Sequence, residues 1–201
     1  SNHIIYTYSD DLWMLDNESG NWQNPVKIDA PVSSGSAEFS PTVSLDGTIF
    51  FFSRRTMDIY SAVKEENQYT TVEKRESPIN DFDDREPFIA PDKSYLIFTS
   101  YSRSDRFGDG DLYISYKKTN NTWTNPKNLG SKINSNFMEF SPKITPDGKY
   151  LIFSRRNSSG SDILWVKSGF IDSLRYTNFI PYLKHFIPNQ TDSVNNLFSY
   201  T

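Results

Sequence analysis

Apolar residues along the chain come in short runs rich in Tyr, Phe, Ile, Val and Thr, closed by Asp-Gly, Pro-Asp or Asn-rich breaks. Helical spacing is poor through most of the sequence, so the pattern predicts many short strands. The pattern also repeats. "SPTVSLDGTIFFFSRR", from Ser40 to Arg55, returns 101 residues later as "SPKITPDGKYLIFSRR", from Ser141 to Arg156, with eight of sixteen positions identical. A third copy, "EPFIAPDKSYLIFTSY", runs from Glu86 to Tyr101.

Aligning the copies on Pro41, Pro87 and Pro142 brings other residues into step. An acid lies three before each proline (Glu38, Asp84, Glu139), and a turn acid lies five after it (Asp46, Asp92, Asp147). Apolar strands are then predicted near 48–53, 94–100 and 149–154. An Asp-apolar-aromatic or Asp-apolar-apolar step follows at Asp58, Asp111 and Asp162, with an earlier relative at Asp11; the intervals are 47, 53 and 51 residues. Eleven or twelve residues after the first three of these aspartates comes Trp22, Tyr69 or Trp123. One unit is therefore four strands: A with the acid and proline, B after the tight turn, C from the aspartate, and D near the aromatic. Four strands in 40 to 50 residues are the signature of a β-propeller blade, which repeats because one blade cannot bury both faces of its sheet alone. The aromatics are expected to pack between blades, and the turn acids to bond the backbone of their own turns.

The fold class that follows is all-β, a β-propeller of four-stranded antiparallel blades. The repeats fall near 3–30, 38–76, 84–130 and 139–168, giving a propeller over 1–168 and a C-terminal helix or tail over 169–201. In that tail "FIDSLRYTNFIPYLKHFI" places Phe170, Ile171, Leu174, Phe179, Ile180, Leu183 and Phe186 so that a short amphipathic helix ends before Pro181 and packs on the propeller.

The turns followed by "YLIF" and then "DIY" or "DLY" resemble the TolB-like propeller repeat. "APDKSYLIFTS", "GDGDLYISYKKTNNTWTNPKNLGSKINS" and "SDILWVKSGFIDSLR" are similar almost continuously to blades of exported bacterial propeller proteins. The resemblance covers about residues 11–175 and implies a five- or six-bladed ring. It also implies a periplasmic or other cell-envelope location, TolB itself being a periplasmic interaction protein. This chain supplies fourteen strands, three in the first repeat, four in each of the next two and three in the last, about four blades, so open edges are expected. The count implies upstream blades missing by truncation or disorder, with self-association through the edges as the alternative.

Composition excludes several partners and chemistries. The net charge is −4 with no basic run, which argues against nucleic acid. There is no cysteine, hence no thiolate or disulfide chemistry, and no apolar stretch approaches the roughly 18 residues of a membrane span. The chain shows no signal peptide. The two histidines, His3 at the very start and His185 in the tail, are expected outside the blades, and no Gly-x-Ser-x-Gly elbow or Gly-rich phosphate loop is present, so a Ser-His-Asp enzyme is disfavoured and no cofactor is expected. "DRFGDGD" offers Asp105, Asp109 and Asp111 as oxygen donors for calcium. It lacks the full loop spacing and the closing Glu, so a plain Gly-Asp turn is the simpler reading.

The remaining candidate chemistry sits on loops. In a propeller the D–A and B–C connections emerge on one face. Here they carry Glu38, Asp84, Arg85 and Glu139, and Arg54, Arg55, Arg103, Arg155 and Arg156. Arginine suits carboxylate or phosphate recognition, and loops on a rigid scaffold are a common place for binding. The alternative is that each arginine pairs with a repeat acid and staples neighbouring blades. The function expected is a non-enzymatic scaffold binding a protein, peptide or glycan. The rivals are a glycan-active hydrolase or lyase using channel carboxylates, and a propeller module of a larger envelope protein or peptidase.

Overall fold

The computed structural model describes residues 3–53, 55–66 and 68–176. Four antiparallel sheets follow one another along the chain. The first contains β1 (His3–Tyr8), β2 (Asp11–Glu18), β3 (Asn21–Trp22) and β4 (Val26–Lys27), with β3 and β4 both paired to β2; His3, expected outside the blades, lies inside the first one because its backbone pairs with Asp16. The second runs β5 (Glu38–Val43), β6 (Ile49–Ser53), β7 (Asp58–Glu65), β8 (Gln68–Lys74). The third runs β9 (Asp84–Ile89), β10 (Tyr95–Ser100), β11 (Asp111–Tyr116), β12 (Lys127–Asn128). The fourth has β13 (Met138–Ile144), β14 (Tyr150–Asn157) and β15 (Gly160–Lys167). Among the described residues this is a four-blade propeller arrangement, all-β but for one short helix, α1 (Phe170–Tyr176). The strands predicted near 48–53, 94–100 and 149–154 are β6, β10 and β14.

The one-strand excess over the predicted fourteen has a local cause. Proline has no N–H to give to a ladder. Pro25, in "WQNP", divides the first sheet's outer strand into β3 and β4, and Pro126, in "WTNP", leaves only the Lys117–Trp123 bridge and β12 in the third. The second sheet has no proline there, and its outer strand β8 is continuous over seven residues. Prolines on the inner strands act similarly. Ser40, Glu86 and Ser141, each just before the aligned proline, have φ of 51°, 54° and 53°, and the ladder slips there in all three sheets. The repeat thus encodes a β-bulge on every complete inner strand.

The A–B turns form as their composition demands. Asp46 accepts hydrogen bonds from Ser44 Oγ (2.5 Å), Thr48 N (3.2 Å) and Thr48 Oγ1 (2.9 Å), and Gly47 supplies φ of 83°. Asp147 and Gly148 repeat this with Thr145 and Lys149.

The sheets stack in sequence order, with one apolar cluster between each neighbouring pair. Leu12, Ile28, Val32, Ile49, Phe51, Ala62 and Tyr69 fill the first interface. Phe50, Ile59, Ile79, Leu96, Phe98, Tyr113 and Trp123 lie in the second, and Ile97, Leu112, Ile114, Leu151, Phe153 and Val166 in the third. Tyr69 and Trp123 pack between blades as expected, each toward the preceding sheet. Trp22 corrects that expectation. It is 51% exposed, because among the described residues no sheet precedes the first one. The helix α1 lays Ile171 and its partly buried Phe170 and Leu174 onto the third cluster, and Tyr116 Oη donates to Ile171 O at 2.5 Å. The part of the predicted tail beyond Tyr176, with Phe179, Ile180, Leu183 and Phe186, lies outside the described residues.

Leu96 is fully buried in the second interface, whereas Leu45, on an A–B turn, is 81% exposed. Leu96→Ala is expected to cost about 2–5 kcal/mol in chemical denaturation, and Leu45→Ala to stay within about 0.5 kcal/mol. Equal costs would contradict the stacking described.

Candidate functional site

The repeat acids at the entry to each inner strand are sealed. Glu38 is 1% exposed, and Asp84 and Glu139 are fully buried. Each carboxylate captures the D–A connection before it. Glu38 Oε1 accepts from Ser34 Oγ (2.6 Å) and Ser34 N (3.3 Å). Glu139 accepts from Ser135 Oγ (2.5 Å) and Ser135 N (2.9 Å), and Asp84 from Phe82 N (3.2 Å). Burial pushes the pKa of Glu38 and Asp84 up, and the hydrogen bonds, with Arg103 beside Asp84, oppose that rise.

The arginines divide into two sets. Arg103 pairs with Asp84 (Nη2 to Oδ2, 2.8 Å) and donates to Pro78 O and Ile79 O. Its guanidinium lies 4.9, 5.5 and 5.4 Å from the ring centres of Phe82, Phe98 and Tyr113. Arg155 pairs with Glu139 (Nε to Oε1, 2.6 Å) and donates to Ile133 O. Arg85 forms a bidentate pair with Asp83 at 2.5 Å and covers Tyr101. Arg55 and Arg156 stay exposed. Arg156 lies over Phe140, and Arg55 lines an open cavity of about 420 Å³ with Ser34, Ser36, Glu38, Ser53, Thr56 and Tyr60. Arg54 lies outside the described residues.

The aspartates opening the C strands hold the outer strands. Asp11 pairs with Lys27 at 2.7 Å and Asp58 with Lys74 at 2.8 Å, while Asp111 takes Asn128 Nδ2 at 2.7 Å. Asp111 also accepts from Phe107 N and Gly108 N, which makes "DRFGDGD" a closed turn. Asp105 is engaged by Tyr113 Oη instead, and among the described residues no three acids or histidines converge as metal ligands. Asn80 and Asn134 imitate a peptide partner. Each side-chain amide exchanges two hydrogen bonds with the backbone of the residue after the repeat aspartate, Ile59 and Leu112 respectively.

Two residues not singled out from the sequence lie on neighbouring inner strands and influence one another by charge. Glu86 occupies the bulge position that is serine in the other copies. Its Oε2 accepts from Thr99 Oγ1 and from Ser141 N, both at 3.0 Å, so it ties the third blade to the fourth. Burial pushes its pKa up, against the pull of those donors and of Arg85 and Arg156. Lys143 stands where the other copies have Thr42 and Phe88. Its Nζ donates to Pro41 O at 3.4 Å. Because β9 packs between β5 and β13, that bond runs from the fourth blade to the second across the axis. The Lys143 side chain is exposed, and partial desolvation beside the inner strands lowers its pKa to about 8 while Glu86 pulls it back up. The signal in the sequence was departure from the repeat: Ser-Glu-Ser at one position, Thr-Phe-Lys at the other.

This geometry is that of a β-propeller, and comparison with solved structures agrees. The chain is similar to a protein in the nidogen/laminin complex (TM-score 0.57, 11% identity, 82% of this chain and 57% of that one). It is also similar to a putative TolB from Agrobacterium tumefaciens (TM-score 0.52, 13% identity, 83% and 60%) and to TolB from Acinetobacter baumannii (TM-score 0.51, 19% identity, 84% and 40%). The chain thus has the TolB-like propeller fold and spans less than two thirds of each of these structures. At such identities the likeness is one of fold. No protein-family model and no curated relative matches the sequence.

Two measurements check the site's electrostatics. Arg103→Met leaves the buried Asp84 without its countercharge and is expected to cost about 3–5 kcal/mol. Adding Asp84→Asn should restore part of that loss, and a double variant no better than the single would refute the pairing. Lys143 is depressed from its ordinary value near 10.4 to about 8. Between those values the unfolded chain holds a proton that the folded chain has released, so this residue makes stability rise with pH there. The denaturation midpoint of Lys143→Met should therefore gain less than wild type between pH 7.5 and 9.5. Parallel profiles would show an unperturbed ammonium.

Proposed function

We propose that the protein is a non-enzymatic binding scaffold whose loop face, at the mouth of the channel, takes a protein, peptide or glycan bearing an acidic group. The observation that carries this reading is the unequal use of charge on that face. Glu38, Asp84 and Glu139 are consumed in holding loops, and Arg103 and Arg155 answer two of them. Arg55 and Arg156 remain exposed, and Arg55 lines a cavity whose wall mixes hydroxyl groups with Val32, Phe51 and Val72. Exposed guanidinium groups on a rigid rim suit a carboxylate or phosphate. Sequestered carboxylates are poor candidates for glycoside hydrolysis, which needs two acids open to the same bond. The TolB-like fold supports an exported, envelope-associated setting for such a scaffold.

The test is a peptide and glycan array probed with the protein, followed by Arg55→Ala/Arg156→Ala. Because both side chains are exposed, the double variant should keep its stability within about 0.5 kcal/mol per site and lose binding to the partner found. Full binding by the double variant would overturn the reading, and so would a large fall in melting temperature, which would make these arginines staples.

A further inference from the structure

Of the three buried acids at strand entry, two meet a guanidinium and one lines a cavity. Their cross-strand partners set the blades in register: Asp84 stands opposite Ser100, Glu38 opposite Ser53, and Glu139 opposite Arg155 itself. In the third blade Arg103, three residues after Ser100, returns to Asp84 and to the carbonyls of Pro78 and Ile79, against the rings of Phe98 and Tyr113. Three residues after Ser53 stands Thr56, which is too short to make that return. Phe82, two before Asp84, covers Arg103 at 4.9 Å, and its counterpart two before Glu38 is Ser36. A threonine and a serine thus open the space that an arginine and a phenylalanine fill in the third blade. The rest of the seat is kept. Phe51 and Tyr60 pair across the second sheet as Phe98 and Tyr113 do across the third, with ring centres 5.9 Å apart at 19° against 6.3 Å at 23°. Pro31 and Val32 hold the place in the D–A connection that Pro78 and Ile79 hold before Asp84. These second-blade residues all line the cavity of about 420 Å³. Glu38 closes it from below. It is 1% exposed, its Oε1 is held by Ser34, and its buried Oε2 has no hydrogen-bond partner. Among the described residues Asp84 and Glu139 each have an arginine, and Glu38 has none.

We infer that this cavity binds a guanidinium group supplied by a partner, the arginine side chain of a peptide or protein, in the position that Arg103 takes in the third blade. The chemistry is one the chain already uses on itself. A buried carboxylate oxygen without a donor is costly. A planar guanidinium can satisfy it while lying against two aromatic rings. In the third blade loop carbonyls accept further N–H groups, and the counterparts of those loop residues stand in the same wall here. A lysine would bring the charge without the planar fork of donors. The net charge of −4 favours a basic partner at long range. Arg55 lines the same cavity and is exposed, and its charge opposes a second cation, so it is no part of this seat. The inference therefore does not rest on the acidic-partner reading, which gives Arg55 the binding role.

The probe is N-acetyl-arginine amide, which carries no carboxylate, titrated into the protein and followed by nuclear magnetic resonance. Its lysine and citrulline counterparts are the controls, one charged without the fork and one shaped alike without the charge. Wild type is expected to bind the arginine probe at least about tenfold more tightly than either control. Thr56→Arg supplies the side chain in cis at an exposed position, so circular dichroism should be unchanged and binding of the probe lost. Glu38→Gln removes the countercharge and should lose binding as well. Arg55→Ala separates the two readings: it should lose the acidic partner but keep the arginine probe or tighten it. A wild type that does not bind the probe would overturn the inference, as would controls that bind equally well. Binding retained by Thr56→Arg, or lost in Arg55→Ala, would overturn it too. So would binding that appears only after Arg54→Ala, which would make Arg54 the occupant of the seat.

Discussion

Each complete inner strand begins with a buried carboxylate, and the placing of the blades depends on it. Glu38, Asp84 and Glu139 arrive at strand entry immediately after a connection that has crossed from one blade to the next. Two of them, Glu38 and Glu139, bind a serine four residues upstream through both its hydroxyl and its amide. The bond fixes where the crossing loop ends, and so where the next blade starts. A buried carboxylate without such donors would be costly, so the acid and the loop specify each other. In the third blade Arg103 completes the arrangement under three aromatic rings, and the guanidinium leaves the solvent only because Asp84 and two carbonyls meet it.

The second level of organisation is the C strand. Its opening aspartate holds the outer strand through Lys27, Lys74 or Asn128, and Asn80 and Asn134 close the backbone just after it. These bonds act within a blade, whereas the apolar clusters act between blades. The division explains why the motif residues recur so faithfully in one chain: every blade must solve the same two problems, with its own connection and with its neighbour. In the fourth sheet, where among the described residues no outer strand follows β15, Asp162 accepts from Asn157 Nδ2 at 3.3 Å.

Most of this was legible in the sequence because a propeller is periodic. Three prolines in step, with an acid three before and a turn acid five after, were enough to place β6, β10 and β14 and to give the fold class. The bulges were legible only as Xaa-Pro pairs, since positive φ at Ser40, Glu86 and Ser141 has no compositional mark of its own. Trp22 was misjudged because it shares its motif with Trp123. Motif reports the position in a blade, and burial also requires a neighbour on the correct side. Asn80 and Asn134 were passed over because asparagine after an apolar residue reads as an ordinary loop.

The channel was the least legible part, for a reason that follows from the same periodicity. Alignment of repeats draws the eye to what recurs, and what recurs here is consumed by the fold. Glu86 and Lys143 are exceptions at positions where the other copies carry Ser40 and Ser141, or Thr42 and Phe88. The exceptions trade packing for a polar bond to another blade, whereas Phe88 keeps the packing and joins the third apolar cluster. Lys143 does so by reaching Pro41 O, and Glu86 by holding the Ser141 amide of the next bulge. Each connects inner strands of different blades through a single polar contact. In a propeller, then, departures from the repeat on the inner strand are where distinct chemistry enters. The recurring residues around them supply the rigid wall that holds an amine and a carboxylate away from their ordinary pKa values.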